Sequence, residues 1–395
     1  MPRFLPAAPR TTPLMEGQHW RRWGGYVTAS SYELTHDREY AAIRNAVALI
    51  DVTPLYKYVV EGRDASRLLD RVVTRDVGKC KVGQVMYTPW CDSHGKVIDD
   101  GTIARLGEQR FRMTSADPSL RWLSMNAVGM DVSIDDVTDA LSAFSVQGPR
   151  SRELLAAVTE GDVAGLGYFR VIEAKIGGAP VTISRTGYTG DLGYEVWIPV
   201  AKTVEVWDAI AARGDDWGLA PCGIWAMDIA RIEAGLIMAE IDYTSAHHAV
   251  IESQKSTPFE LNLGWAVSLG GAPFVGKRPL AIEKEHGSAW QLVGIDVDWE
   301  SLEQCYREVD LPPRLPTVAW RSSVPLYAGG KQIGYASSGC WSPLLKKYIA
   351  LAHVEAPWAK PGAEVYMEVT VEHRRKQALA RVAKLPFFDP ARKRS

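Results

Sequence analysis

Residues 187–199 read GYTGDLGYEVWIP. Gly187, Gly190 and Gly193 recur at a spacing of three, and two acids, Asp191 and Glu195, stand among aromatic residues. The glycines predict a tight turn between two strands, with positive φ at one or more of them. After the turn, Tyr194, Val196 and Ile198 alternate with Glu195 and Trp197, so the second strand has one apolar face. The other face carries an acid beside an indole. On pattern alone Glu195 is either solvated or aimed into a pocket. A carboxylate in a pocket suits a flat heterocycle with adjacent N–H donors, because its two oxygens accept two bonds at once.

Working outward, residues 64–73, 202–213 and 223–234 show helical spacing. The first follows a possible Asp64 N-cap, and the last stops at Gly235. Residues 363–375, AEVYMEVTVEHRR, alternate as a strand. The stretch 299–318 is looser and Pro-rich at its end, and it marks the entrance to a last, mostly β domain. Residues 337–347 and 373–387 suggest a turn, a short helix and a basic strand. Helices and hairpins mix without a steady βαβ rhythm, which predicts an α+β fold.

A chain of 395 residues is long enough for two or three domains. A net charge of −2 gives no reason to expect nucleic acid or an anionic membrane as partner. The N-terminus lacks the apolar core of a signal peptide, and no apolar run is long enough to span a bilayer. Five cysteines without a CxxC pair argue against a zinc site or a disulfide framework. These features predict a cytoplasmic protein with free thiols. The basic end, ARKRS, reads as a frayed terminus.

Common catalytic signatures are missing: GxGxxG, the P-loop, GxSxG and HExxH. His247 and His248 are adjacent, so they point apart on a helix or strand, and no metal is expected. Asp99 and Asp100 lie side by side in a strand-like run, GKVIDDGTIA. One of them should face inward, where an ionised carboxylate needs partners. In MDIARIEAG, Asp228 and Arg231 sit three apart, the spacing of an intrahelical pair. Fourteen tryptophans fill cores or wall a flat apolar pocket.

Seven phrases in order resemble the aminomethyltransferase (T-protein) family of the glycine cleavage system: ALIDVTPL, GKVIDD, FSVQGPR, RTGYTGDLGYEVWIP, RIEAGL, IGYASSGCWSPLLKKYIALAHV and RRKQALARVAKLPF. They run from about residue 40 to 388. The resemblance implies a three-domain cloverleaf around a tetrahydrofolate site. Its folate-binding region would cover 1–298, as interleaved subdomains of roughly 1–50 with 142–240 and 51–141 with 241–298. A β-barrel-like domain would cover 299–395. It also implies that Asp100 lies near the reactive edge of the folate, that Glu195 grips the pterin, and that Tyr87 belongs to the same set. Trp197, Tyr168 and Arg231 are further expected folate contacts, Tyr188 is structural, and Asp191 is a turn-forming acid.

Departures from the family pattern fall on the donor side. Met227 stands where T-proteins usually carry arginine, Ala239 and Glu240 replace a tyrosine–glycine pair, and Gly95–Lys96 replaces a glycine pair. The resemblance is therefore nearer in role to tetrahydrofolate-dependent demethylases, with a small-molecule methyl donor and no lipoyl carrier protein. An aryl methyl ether is the leading donor. A glycine-cleavage aminomethyltransferase and an N- or S-demethylase are the alternatives. An ether oxygen needs a proton as it leaves, and Tyr243 and His247 are the leading general acids, with Tyr87 and His248 behind them. A non-catalytic folate scaffold ranks last, because the KGCYxGQE-type cysteine motif of such members is absent.

Overall fold

The computed structural model describes residues 2–395. The alternation around Glu195 is real and builds the centre of the largest sheet. Gly193–Pro199 pairs antiparallel with Leu141–Gln147 on one side and Ala179–Ser184 on the other. Val47–Asp51 and Leu219–Pro221 extend that sheet on one side, and Val171–Ile176 and Thr159–Glu160 extend it on the other, giving seven strands. Tyr194, Val196 and Ile198 are buried against Phe144, Leu154, Leu155 and Trp207.

A second sheet has five strands in the order Val85–Cys91, Val97–Gly107, Arg110–Ser115, Tyr56–Glu61, Ser133–Asp136. The helix Ala65–Val72 packs on it through Leu68, Leu69 and Val72, as its spacing predicts. Asp64 does not cap that helix. Its carboxylate instead accepts from the Asp131 N–H at 2.9 Å. The last β unit is a closed six-stranded barrel that begins at Trp290–Val297 and ends at Arg374–Ala383. A small sheet, including His19–Trp23 and Tyr26–Ser31, completes the molecule. Among the described residues, no helix is long and apolar enough to cross a membrane. All five cysteines are buried and unpaired.

Three local expectations are corrected. Residues 299–307 form a helix, Trp299–Arg307, capped by Asp298, whose carboxylate accepts from the Ser301 N–H at 2.9 Å. Leu302, Cys305 and Tyr306 bury its inner face, a pattern masked by Glu303 and Gln304 between them. No short helix follows Trp341: Lys331–Ser342 and Lys347–Glu355 form a hairpin, turned at Lys346 with φ 55°. The strand over 363–375 is in fact a hairpin, Glu364–Val371 with Arg374–Ala383, turned at Glu372 with φ 54°.

The opening stretch also differs in its reason for glycine. Its loop spans eight residues, 185–192, between Ala179–Ser184 and Gly193–Pro199, and only Gly190 has positive φ, 72°. Gly187 and Gly193 are glycine because the Gln147 amide fills the loop. A Cβ at either would stand 2.2 or 2.0 Å from Gln147 Oε1. Gln147 Nε2 donates to the carbonyls of Thr186 and Tyr194, both at 3.2 Å.

Asp191 and the basic terminus are corrected together. Asp191 is buried, and Arg392 donates to both of its oxygens, at 2.7 and 2.9 Å. Arg44 approaches from behind at 3.4 Å. The ARKRS segment is thus held on the large sheet's loop.

Candidate functional site

A cavity of about 1120 Å³ opens where the sheets, the barrel loops and the C-terminal segment meet. Pockets for one drug-sized ligand hold roughly 300–1,000 Å³, so this one lies just above that range.

Asp99 and Asp100 sit on Val97–Gly107 opposite Trp90 and Pro89. Strand alternation sends them to opposite faces. Asp99 turns inward, where three backbone N–H groups, of Asp100, Ala116 and Asp117, donate to it at 2.8, 3.0 and 2.9 Å. Asp100 turns to the cavity. The Tyr87 hydroxyl donates to its Oδ2 at 2.8 Å, and the Tyr243 hydroxyl donates to its Oδ1 at 2.5 Å. Burial pushes the Asp100 carboxyl above its ordinary value, and the two phenol bonds partly offset the shift. Burial and the neighbouring charges push both phenols well above theirs, so both remain hydrogen-bond donors. Gly101 lets the adjacent strand approach, since a Cβ there would lie 2.0 Å from the Thr114 carbonyl oxygen.

Tyr243 arrives from the loop after the helix Ile224–Glu233. Asp242 anchors that loop: it pairs with Arg231 at 2.5 Å and accepts from Ser337 and Ser338 of the barrel at 2.6 and 2.7 Å. Arg231 is fully buried and does not line the cavity. Its pair with Asp228 forms as the spacing predicts, at 3.4 Å, but Asp242 is the nearer partner. Asp228 also pairs with Arg321, 2.6 Å away.

Glu195 reaches the cavity on the strand face opposite the apolar set. The Thr186 hydroxyl donates to its Oε2 at 2.5 Å. Burial raises its carboxyl above the ordinary range; the Thr186 bond and the charge of Arg112 pull it back. The Arg112 guanidinium lies 4.2 Å from the centre of the Trp197 ring, and Trp197 is buried with its N–H directed to Ser184 at 3.2 Å. Burial pushes Arg112 down to about 9.

Tyr87 stacks on Trp265 at 5.9 Å, and Arg75 lies 5.6 Å from the same indole. Tyr168 lines the cavity with Arg394 beside it. Tyr188 also lines it, its hydroxyl donating to the Ile237 carbonyl.

The structure therefore brings Tyr87, Asp100, Tyr168, Glu195 and Trp197 to one cavity, and sets the buried Tyr243 behind Asp100 rather than on the cavity wall. It does not bring His247 there. That ring is exposed and packs edge-on against Trp122 at 5.4 Å. His248 sits at the rim between Glu240 and Asp117, at 3.1 and 3.4 Å. Sequence reasoning missed Arg112, Thr186, Arg21 and Arg321. Of these, only Arg112 left a signal, an arginine alternating with the core residues Phe111 and Met113 of the strand RFRMTS.

The fold is that of the T-protein architecture. The solved glycine cleavage aminomethyltransferase of Bartonella henselae superposes with a TM-score of 0.83, covering 98% of this chain and 99% of that one at 23% identity. The GCVT N-terminal domain matches residues 11–271, and the glycine cleavage T-protein C-terminal barrel domain matches residues 308–389. Aminomethyltransferase of Halothermothrix orenii is 33% identical over 354 residues, covering 89% of this chain and 90% of that protein. That of Bacillus subtilis is 33% identical over 357 residues, with the same shares. Trimethylamine-oxide aldolase of Ruegeria pomeroyi is 35% identical over 369 residues, covering 90% of this chain but 43% of that protein. The chain belongs to the aminomethyltransferase (glycine cleavage T-protein) family. Proteins of this family use tetrahydrofolate in one-carbon transfer.

Proposed function

We propose that this chain is a tetrahydrofolate-dependent demethylase that moves a methyl group from a small-molecule donor, an aryl methyl ether, to N5 of tetrahydrofolate. One observation carries the choice. Position 227 presents a methionine to the cavity, in company with Trp23, Val52, Leu55 and Ile224. That wall is apolar and suits an aromatic body.

The folate half fits a reduced pterin. Glu195 has its Oε2 held by Thr186 and belongs to the cavity wall, beside the buried indole of Trp197. Bound tetrahydrofolate supplies the nucleophilic amine. In the reaction the N5–CH₃ bond forms as the O–CH₃ bond breaks, with the bonding pair passing to oxygen. N5 loses a proton and the phenolate gains one, so no oxidant or reductant enters.

Asp100 holds the reacting edge and accepts hydrogen bonds from whatever faces it. Tyr243 and Tyr87 hold Asp100 in place from both sides. Tyr243 is the general acid we assign, acting through Asp100: it does not itself line the cavity, and its hydroxyl donates to the carboxylate that does; His247 lies against Trp122 instead. The walls position donor and acceptor for in-line attack at roughly 3–3.5 Å, the separation from which such displacements proceed.

The test is to mix protein, tetrahydrofolate and a panel of methoxybenzoates and to look for 5-methyltetrahydrofolate. Absence of product from every methoxy, N-methyl and S-methyl donor would sink the proposal. A second possibility, a glycine-cleavage aminomethyltransferase, is favoured by relatives of that name across about nine-tenths of the chain. It requires methylenetetrahydrofolate and ammonia from a loaded lipoyl protein.

A further inference from the structure

The ion network behind the apolar wall is short of negative charge. Arg231 pairs with Asp228 and Asp242, and Arg321 pairs with Asp228. Arg21 faces the same group from the strand His19–Trp23, yet makes no ion pair among the described residues. Three guanidinium groups thus share two carboxylates. Burial and the like charge of Arg321 push Arg21 below its ordinary value, with Asp228 opposing. The Arg321 Nη2 is buried and lacks a well-aligned hydrogen-bond partner despite its closeness to Asp228.

Arg21 and Arg321 both line the cavity, beside Trp23, Ile224 and Met227. Like charges held together at half-buried positions repel, and an anion that joins them relieves this. A guanidinium presents paired N–H donors that match a carboxylate. We propose that the methyl donor is a carboxylic acid whose carboxylate is bound by Arg21 and Arg321, with its apolar body against Trp23, Ile224 and Met227. This rests on the demethylase reading and specifies its substrate class. The carboxylated tail of folate is the competing anion. Other cations at the cavity, Arg75 and Lys79 in one place and Lys393 and Arg394 in another, are available to that tail. Arg394 is exposed beside Tyr168, whereas Arg21 and Arg321 adjoin the apolar wall.

The experiment compares 4-methoxybenzoate with the neutral 4-methoxybenzamide in wild type and Arg21→Met, with tetrahydrofolate as acceptor. Arg21 makes no side-chain hydrogen bond or ion pair among the described residues, so the substitution leaves the fold's own pairs intact. Losing one charge-assisted bond should raise KM for the benzoate by roughly tenfold or more, with KM for the benzamide and for tetrahydrofolate unchanged. A rise in the tetrahydrofolate KM alone would assign the arginines to the folate tail and overturn the proposal. Equal use of both donors, insensitive to Arg21, would overturn it while leaving the demethylase intact. If no donor reacts at all, the demethylase reading falls, and tryptophan-fluorescence titration still decides carboxylate recognition. Arg21-dependent binding of benzoate over benzamide then supports it, and its absence overturns it.

Discussion

Arg392 lies 201 residues along the chain from Asp191 and yet closes both oxygens of that buried carboxylate, at 2.7 and 2.9 Å. The pair ties the last turn of the chain to the loop that carries Thr186 and Tyr188. Leu385, Pro386, Lys393 and Arg394 consequently become part of the cavity wall. Replacing Arg392 with alanine leaves Asp191 with Arg44 alone, at 3.4 Å. Removing one partner of a buried charge pair costs roughly 3–5 kcal/mol, and the half-exposed Arg392 places this case at or below the lower end. The expected result is a lower Tm by differential scanning calorimetry and a raised KM for tetrahydrofolate. An unchanged Tm would show that Arg44 suffices.

Glu195→Gln keeps the shape of the side chain and removes its charge. It should weaken tetrahydrofolate about 10- to 100-fold, the worth of a charge-assisted bond, without loss of fold. Thr186→Val, which removes the hydroxyl that holds Oε2, should have a smaller effect in the same direction. Titration calorimetry with tetrahydrofolate checks both, and full affinity in Glu195→Gln would remove the carboxylate from the pterin site.

Asp100 is predicted to oppose folding while serving the reaction. Burial raises its folded-state pKa above the unfolded value. The folded protein therefore binds this proton more tightly, and the stability so gained is present at low pH and is lost as pH climbs through the raised pKa. At neutral pH, Asp100→Asn should accordingly have an equal or higher Tm, with one tyrosine hydroxyl reversing to accept from the amide. Its kcat/KM should fall. The wild-type rate should drop on acidification at a pH above the ordinary carboxylate range, and that limb should be missing from the variant's profile. A lower Tm in the variant at neutral pH would contradict the assignment.

Tyr243→Phe removes the acid assigned to the leaving oxygen through Asp100. General acid catalysis contributes roughly 10²- to 10⁴-fold, so kcat should drop within that range. The defect should shrink for donors whose phenolate leaves readily, such as nitro-substituted anisoles. Tyr87→Phe, which also loses a bond to Asp100, should show no such dependence on the leaving group. A uniform defect across donors in Tyr243→Phe would reduce that residue to positioning Asp100.

Much of this arrangement is legible in the sequence. Period-two alternation placed Glu195 beside Trp197, and the paired aspartates announced one inward and one outward carboxylate. Periodicity is local, however, and the rest of the site is made by contacts between distant segments. Asp191 looks like any turn acid until Arg392 and Arg44 meet it. Arg321 lies in a loop with no period, and its importance comes from Asp228, 93 residues earlier. Trp299–Arg307 was hidden because only three of its residues are buried, while the prolines that follow suggested an irregular segment. His247 looked catalytic by type, but the chain turns it onto Trp122.

The helix Ile224–Glu233 sets Met227 in the cavity and Asp228 in the ion network one residue later. Adjacent positions on a helix face about 100° apart, so neighbours answer to different surroundings. A lineage with this scaffold is therefore free to exchange residue 227, while its immediate neighbour keeps its pair with Arg321 and Glu195 stands apart on the strand Gly193–Pro199. Innovation on this scaffold is cheap in sequence: a single codon reshapes one wall of the cavity without touching the ion network beside it.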